Sequence, residues 1–170
     1  MSSTTITPAV PTHTTAIKSL VTAAFTKYIE RMGKPPAPML ADYTNLDGVF
    51  VLLTAATPSS SSTQFIPNPS LDAGNDTVLG SITLTEDPET DSIKVNNLVV
   101  DPAAQGRGYG RALIEFAEAR AREAGREAVS LATNVKMVEN IGLYKKLGFV
   151  EVGRGMENGY ERVFMRKVLV

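Results

Sequence analysis

The chain has 170 residues, a length that fits one domain and allows a substantial hydrophobic core. Hydrophobic residues make up 43% of the chain and charged residues 21%, as in an ordinary globular protein, and the formal net charge is −1. This balance excludes a strongly basic surface for nucleic acid, and the absence of cysteine excludes disulfides, thiolate metal sites and cysteine-based acyl transfer.

The beginning of the chain lacks the pattern of a secretory signal. Residues 1–8 contain neither a basic region nor an apolar stretch. No run of about 18 apolar residues suggests a membrane span. We therefore expect a cytoplasmic protein with neither a membrane nor a nucleic acid as its partner.

The first third of the chain predicts an edge strand, two helices and a core strand. Pro8 favours an edge position for the first strand, because proline cannot donate a hydrogen bond to a central ladder. The shorter, second helix is expected to turn Leu40 and Tyr43 inward. In chain order these elements are predicted over residues 6–10, from 12 or 14 to 33, 39–46 and 49–54.

Residues 57–76 differ in composition from the rest of the chain. They contain a run of serines together with several prolines. Loops of this length are uncommon inside compact domains and are either functional or disordered. The serine run favours a flexible surface loop, inserted between two strands of the same domain.

The next two predicted strands contain one interruption of their alternating pattern. They span residues 78–85 and 93–100 and are joined by a turn over 86–91. In the second strand the alternation fails at Asn96 and Asn97. Loss of the period inside a strand indicates a β-bulge, which bends the strand and leaves backbone groups unpaired. The alternative is an edge strand that carries polar residues.

The rest of the chain predicts two helices, a buried strand and a terminal hairpin. The hairpin is predicted to turn around Glu157-Asn158-Gly159. The predicted helices span residues 108–124 and 137–147, the buried strand 128–132, and the hairpin strands 149–154 and 162–170.

Residues 97–113 predict a strand, a glycine-rich turn and the start of a helix. The turn contains Gly106, Gly108 and Gly110. Unpaired amides at a helix N-terminus, with the positive end of the helix dipole, suit a phosphate or pyrophosphate. Arg107 and Arg111 can add charge-assisted contacts. The spacing fits neither a dinucleotide fingerprint nor a P-loop, and the alternative is a flexible turn without a ligand.

Two segments together resemble a known family. The first is this glycine turn, with Gln105, Gly108 and Gly110 at signature positions. The second is the helix end over residues 139–149, in which Asn140 and Tyr144 stand at motif positions. The order and separation of the two segments resemble the GCN5-related N-acetyltransferase (GNAT) family. The resemblance extends from about residue 17 to the end of the chain.

The resemblance implies an α/β (α+β) fold of the GNAT type. Its central sheet is mixed and mostly antiparallel, with about six to seven strands and helices on both faces. The sheet is expected to be splayed between the fourth and fifth strands, next to the bulge at Asn96 and Asn97. The resemblance also implies one acetyltransferase domain over residues 1–170, with acetyl-CoA as cosubstrate and no metal.

The resemblance assigns Tyr144 to catalysis, since a tyrosine at this position lies near the cofactor sulfur and can protonate the departing thiolate. The alternative is a buried tyrosine that packs against Leu113 or Phe149. Helix caps are the alternative for both asparagines among the expected cofactor contacts. The expected cofactor contacts are Leu98, Val99, Val100, Gln105, Gly106, Arg107, Gly108, Tyr109, Gly110, Arg111, Asn134 and Asn140.

The first two helices border the acceptor in the resembling family, so Tyr28, Met39 and Tyr43 are candidate substrate-lining residues. A proline-stiffened linker is the alternative for this segment. His13 is expected to face solvent.

The general base is not assigned by the resemblance. The family often carries a glutamate on the bulged strand, where this chain has two asparagines. The remaining candidates are a water relay or one of four carboxylates, for each of which a solvated surface charge is the favoured interpretation. These carboxylates are Glu30, Asp42, Glu86 and Glu139.

The function implied is transfer of an acetyl group from acetyl-CoA to a primary amine in a ternary complex, without an acyl-enzyme. The acceptor is expected to be a small molecule. One alternative is acetylation of protein N-termini or lysines, and another is a non-catalytic module that binds coenzyme A. Homodimers are common in the resembling family, and a homodimer is a candidate assembly.

Overall fold

A seven-stranded mixed sheet forms the centre of the computed structural model, which describes residues 3–54 and 77–169. The strands are β1 Thr4–Pro8, β2 Val49–Thr54, β3 Thr77–Asp87, β4 Ser92–Val100, β5 Ala128–Asn134, β6 Val150–Glu157 and β7 Tyr160–Val168. Their order in the sheet is β1-β2-β3-β4-β5-β7-β6, and only β4 and β5 run parallel within these ranges. The loop predicted over 57–76 lies outside the described residues.

Four α-helices cover the two faces of the sheet in the described ranges. They are α1 Thr14–Met32, α2 Ala37–Leu40, α3 Tyr109–Glu123 and α4 Val138–Lys146. None of the described helices combines the length and apolar character needed to cross a membrane. The observed sheet and its two helical layers confirm the predicted fold class.

Alternation along β2 shows how the sheet separates two hydrophobic cores. Val49 and Val51 point into the core on the α1 face, whereas Leu52 belongs to the core on the α3 face. Successive side chains of a strand point to opposite faces, so a continuous apolar run indicates burial on both. The run over residues 49–53 therefore matches a strand covered by helices on both sides.

A β-bulge interrupts β4 at the predicted position. Thr83 of β3 pairs with Asn97, and Leu84 pairs with Val95, so Asn96 is the extra residue. The parallel pairing of β4 with β5 also ends here, with Val95 opposite Leu131. Beyond the bulge the two strands separate, which confirms the splay between the fourth and fifth strands.

The second helix is shorter than predicted. It ends at Leu40 rather than continuing to residue 46, and Leu40 is 68% exposed instead of facing inward. The cause is local: the side chain of Asp42 accepts hydrogen bonds from the amide and hydroxyl of Thr44. Such side-chain bonds offer the backbone a turn that competes with the helix. Tyr43 is buried, as predicted.

Replacing Gly48 by alanine is expected to destabilise the fold by roughly 3 kcal/mol or more. Gly48 has a φ of 70°, and an added Cβ would lie 2.1 Å from the carbonyl oxygen of Leu84. The backbone must therefore move, and this movement strains the hydrogen bond that the amide of Leu84 donates to the carbonyl of Gly48 at 2.8 Å. Urea unfolding followed by circular dichroism measures the change.

Gly33 offers a matched control for this substitution. Its φ is 73°, but within residues 3–54 and 77–169 no heavy atom beyond the chain neighbours lies within 4 Å of the position of an added Cβ. Gly33→Ala therefore carries only the left-handed backbone penalty of about 1–2 kcal/mol. Equal losses in the two variants would contradict the steric explanation for Gly48.

Candidate active site

The glycine turn forms an open cradle between β4 and α3. Gly106 and Gly108 adopt φ values of 84° and 83°, and Gly108 is the N-cap of α3. The first hydrogen bond of this helix joins the amide of Ala112 to the carbonyl of Gly108. The amides of residues 109–111 therefore have no partner within the helix, as expected for its first turn.

The space in front of the cradle is free of described side chains. Among the described residues, no heavy atom beyond the chain neighbours lies within 4 Å of the position that a Cβ would take at Gly106 or Gly108. At Gly110 the nearest such atom is Cδ2 of Leu143, at 3.9 Å. The missing side chains thus leave room for a ligand to approach the backbone amides.

A cavity of about 390 Å³ lies in front of these amides, and we call it the cofactor-side cavity. Its walls come from α1, the end of β4, the glycine turn and α4. Arg107 belongs to the turn but does not line the cavity, unlike the other predicted cofactor contacts of this region. Those predicted contacts are Leu98, Val99, Val100, Gln105, Gly106, Gly108, Tyr109, Gly110 and Arg111.

Three cations border the cofactor-side cavity. Arg111 follows the turn, Lys27 lies on α1 and Lys146 lies at the end of α4. The two lysines were not predicted from the sequence, because they reach the cavity from helices that are distant along the chain. Together with the amides of α3, the three cations make this region suitable for a bound anion.

A second cavity of about 220 Å³ lies beyond the bulge, and we call it the acceptor-side cavity. Asn96 and Asn97 border it, as do the ends of β5 and β7. The two cavities share three wall residues, Phe25, Leu98 and Asn140. They are therefore neighbours at the point where β4 and β5 separate.

Tyr144 lies on the wall of the acceptor-side cavity. Its side chain is 7% exposed, and its ring packs edge-on against Phe149 with 5.8 Å between centroids. Burial raises the pKa of Tyr144 to about 12. Its hydroxyl makes no hydrogen bond to another residue in the described ranges. The ring of Tyr144 is therefore packed in the core, whereas its hydroxyl at the cavity wall has no hydrogen-bond partner among the described residues.

The two predicted asparagines occupy different positions. The side chain of Asn134 accepts a hydrogen bond from the amide of Lys136, at 2.9 Å, and closes a turn before α4. Asn134 lines the acceptor-side cavity rather than the cofactor-side cavity. Asn140 lies inside α4, where it caps no helix end, and it lines both cavities.

The three candidate substrate residues are also separated in the structure. Tyr43 lines the acceptor-side cavity; its hydroxyl donates to the carbonyl of Pro38 at 2.6 Å and accepts from Asn97 at 3.0 Å. Tyr28 lines the cofactor-side cavity instead. Met39 packs against the core on the α1 face and lines neither cavity.

Three of the four candidate carboxylates already have partners within the described chain, either in an ion pair or in a turn. Arg31 holds Glu139 through two hydrogen bonds of 2.8 and 3.0 Å, which lower the pKa of Glu139 to about 2. Glu86 pairs with Arg126 at 3.0 Å. Hydrogen bonds from Thr44 lower the pKa of Asp42.

Asp42 alone among these four carboxylates lines the acceptor-side cavity in the described structure. The remaining candidate, Glu30, is exposed to solvent. A carboxylate with a lowered pKa is a weak base, but it presents a fixed negative charge near neutral pH. Asp42 is therefore better suited to attract a cation than to remove a proton.

Comparison with known proteins agrees with this architecture. The chain is 39% identical over 77 residues to an IAA acetyltransferase of Azospirillum brasilense. That match covers 45% of this chain and 50% of the relative, so the chain spans about half the length of that protein.

Solved structures share the fold at low sequence identity. A GCN5-related N-acetyltransferase from Rhodopseudomonas palustris superposes with a TM-score of 0.69 and 19% identity, covering 99% of this chain and 98% of that one. The chain of a streptothricin acetyltransferase from Bacillus anthracis, solved with acetyl coenzyme A, gives a TM-score of 0.54 at 20% identity. That match covers 72% of this chain and 62% of the other.

The family itself is identified by the sequence. Residues 54–149, more than half of the chain, match the acetyltransferase (GNAT) family. The matched range contains both the glycine cradle and the segment around Tyr144. With the splayed sheet and the cradle in place, this chain belongs to the acetyltransferase (GNAT) family.

Proposed function

We propose that the protein is an N-acetyltransferase that moves the acetyl group of acetyl-CoA to a primary amine of a small molecule. The proposal rests on one observation: the glycine cradle and the unpaired edge of β4 border one cavity, which adjoins a second cavity at Leu98. A cofactor and an acceptor can therefore approach the same point from two sides of the splay. We take residues 1–170 as one acetyltransferase domain.

The cofactor-side cavity offers groups that would bind two parts of coenzyme A, the pyrophosphate and the pantetheine arm. Its cradle amides, with Arg111, Lys27 and Lys146, would bind the pyrophosphate. Leu98, Val99 and Val100 pair with β3 on one side, whereas their other edge has lost β5. That edge would pair with the amides of the pantetheine arm as an added strand does.

The chemistry proposed is direct attack of a neutral amine on the thioester carbon, followed by cleavage of the carbon–sulfur bond. No cysteine is present to carry the acetyl group, which supports direct transfer. Tyr144 would donate a hydrogen bond to the sulfur as it leaves. A phenol with a pKa of about 12 retains its proton at neutral pH, so this donor is available.

The amine has to lose its proton without a strong carboxylate base. Arg31 stabilises the ionised form of Glu139, and Thr44 that of Asp42, so both carboxylates are poor acceptors of a proton. We propose that water in the acceptor-side cavity accepts the proton of the amine. Asn97 and Tyr43 form a hydrogen-bonded pair beside this space and position the bulge.

The size of the acceptor-side cavity supports a small acceptor. About 220 Å³ accommodates a small organic amine but not a folded chain end with several side chains. The described wall includes four aromatic residues and five asparagines, and the asparagines can orient an amine by hydrogen bonds. Its boundary at Leu98 would direct that amine towards the thioester.

Release of free thiol from acetyl-CoA, measured with a panel of amines, amino acids and short peptides, tests this function. We expect turnover with small amines and much slower turnover with peptides. Tight binding of coenzyme A without turnover of any acceptor would instead indicate a non-catalytic binding module. A preference for peptides would indicate that the acceptor is a protein rather than a small molecule.

The pH dependence of kcat/KM distinguishes the ionisation of the acceptor amine from that of Tyr144. We expect kcat/KM to rise between pH 6.5 and about 9, because the attacking amine must be neutral. Tyr144 acts in its protonated form and its pKa is about 12, so its ionisation should remove no activity below about pH 10. Steady-state rates over this range measure the profile. A decline below pH 10 that is absent in Tyr144→Phe would contradict this assignment.

A further inference from the structure

We infer that the acceptor amine also carries a carboxylate group, which Arg162 holds at the wall of the acceptor-side cavity. The inference rests on the proposed acetyl transfer and narrows its substrate class. Arg162 lies on β7 opposite Asn134 of β5, and both side chains border this cavity.

Arg162 is a half-buried cation without a hydrogen-bonded anion. Its side chain is 15% exposed, and its Nε atom is buried without a hydrogen-bond partner among the described residues. The Oε1 atom of Glu157 lies 3.9 Å from Nε, beyond hydrogen-bond distance. The aromatic ring of Tyr160 lies 5.4 Å from the guanidinium carbon and adds an attractive contact.

Two other arginines of the described chain differ from Arg162 at their terminal nitrogens, although the Nε atom of Arg126, like that of Arg162, is buried without a described hydrogen-bond partner. Arg166, on the same strand, donates to a carboxylate oxygen of Glu127 at 2.9 Å and to the carbonyl of Thr90. Arg126 pairs with Glu86 and Asp91 through its terminal nitrogens. No described residue accepts a hydrogen bond from Arg162, and since its Nε atom is fully buried, its two terminal nitrogens are the donors that a ligand in the cavity could use.

A carboxylate is the ligand that this arrangement fits. A guanidinium presents parallel N–H groups that match the two oxygens of a carboxylate, and burial strengthens such a pair. Glu157 lies at ion-pair distance but accepts no hydrogen bond from Arg162, so a ligand carboxylate that accepts hydrogen bonds from the guanidinium would add an interaction that the described residues do not supply. The geometry therefore favours an anionic group on the acceptor.

The negative charge of Asp42, opposite in sign to that of Arg162, supports an acceptor that carries both an ammonium and a carboxylate group. Asp42 and Arg162 are the charged residues on its described wall, and they have opposite signs. One carboxylate and one ammonium group on the ligand would balance these two charges. A phosphate would bring two negative charges to a wall that offers a single cation, so we assign the site to an amino acid or a related amino carboxylate.

Matched acceptor pairs test the inference on the unaltered protein. Each pair consists of an amino carboxylate and its primary amide, and kcat/KM is expressed per concentration of neutral amine so that differences in amine pKa cancel. We expect the carboxylate to be preferred by about 10- to 100-fold, as a charge-assisted hydrogen-bonded pair provides. Equal values for acid and amide would overturn the inference.

Variants of Arg162 locate that preference. Arg162→Gln should remove the preference for the carboxylate, and Arg162→Lys should retain part of it, because lysine keeps the charge without the two-pronged geometry. Arg166→Gln, four residues along β7 and remote from the cavity wall, should retain the full preference. A loss that is equal for acid and amide in Arg162→Gln would assign Arg162 to folding instead.

Two measurements separate this inference from the proposed function. Calorimetry with coenzyme A should give the same affinity for the parent and Arg162→Gln, since Arg162 does not line the cofactor-side cavity. If no acceptor is acetylated, the proposed function is wrong. Calorimetry can then measure binding of an amino carboxylate to the coenzyme A complex. Binding that is weakened in Arg162→Gln would still support the assigned ligand class, and no binding would refute it.

Discussion

Replacing Gly108 by glutamate is expected to weaken acetyl-CoA binding by at least about 100-fold, because a like charge in a binding site costs several kcal/mol. In the described structure, no heavy atom beyond the chain neighbours lies within 4 Å of the added Cβ position, so the new side chain has room beside the cradle amides. There its carboxylate would occupy the site proposed for the pyrophosphate. Isothermal calorimetry with acetyl-CoA and with coenzyme A measures the loss.

Gly125→Glu is the control for backbone strain and added charge. Gly125 follows the other end of α3 and has a φ of 70°, and no described heavy atom beyond its chain neighbours lies within 4 Å of an added Cβ. Both variants should lose a similar stability of about 1–2 kcal/mol from the left-handed backbone. Only Gly108→Glu should lose affinity. Parent-like binding in Gly108→Glu would refute the pyrophosphate site.

The sequence predicted the elements whose signals are local. The hairpin predicted around residues 157–159 contains the observed turn, in which Asn158 and Gly159 adopt positive φ of 52° and 83°. The bulge was found because the two-residue period fails where Asn96 is inserted. The cradle was found for the same reason, since its glycines and the start of α3 follow one another along the chain.

The errors arose where local bonds or distant contacts decide the structure. The turn at Asp42 ended α2 early, since one side chain there competes with helical hydrogen bonds. Lys27 and Lys146 reach the cofactor-side cavity from α1 and α4, and Arg162 reaches the other cavity from β7. Nothing in the immediate sequence of these three cations distinguishes them from surface charges.

The separation of Tyr28 from Tyr43 shows the same limit. Both residues are apolar positions of the α1–α2 region and both were predicted to face the acceptor. Tyr28 lies beside α4, where its hydroxyl is 3.4 Å from Glu139, and this places it on the cofactor-side cavity. Which cavity a buried tyrosine borders depends on helix packing, which the spacing of apolar residues does not specify.

Tyr144→Phe is expected to lower kcat by about 100-fold, at the lower end of the usual range for general acid catalysis. The lower end applies because a pKa of about 12 makes the hydroxyl a weak acid, which acts by hydrogen bonding to the leaving sulfur. The affinity for acetyl-CoA should not change. Rapid-quench measurement of a single turnover separates this chemical step from product release.

Tyr43→Phe provides the matched comparison, because burial also raises the pKa of Tyr43 to about 12. Its hydroxyl bonds to Pro38 and Asn97, so its removal should cost about 1 kcal/mol of stability and act mainly through the KM for the acceptor. Tyr144→Phe should keep its stability, since the hydroxyl it loses has no hydrogen-bond partner in the described chain and the ring keeps its contact with Phe149. If Tyr144→Phe had the single-turnover rate of the parent, Tyr144 would not be the donor to the leaving sulfur.

If Tyr144→Phe lost as much stability as Tyr43→Phe, the role of Tyr144 would be limited to packing in the core.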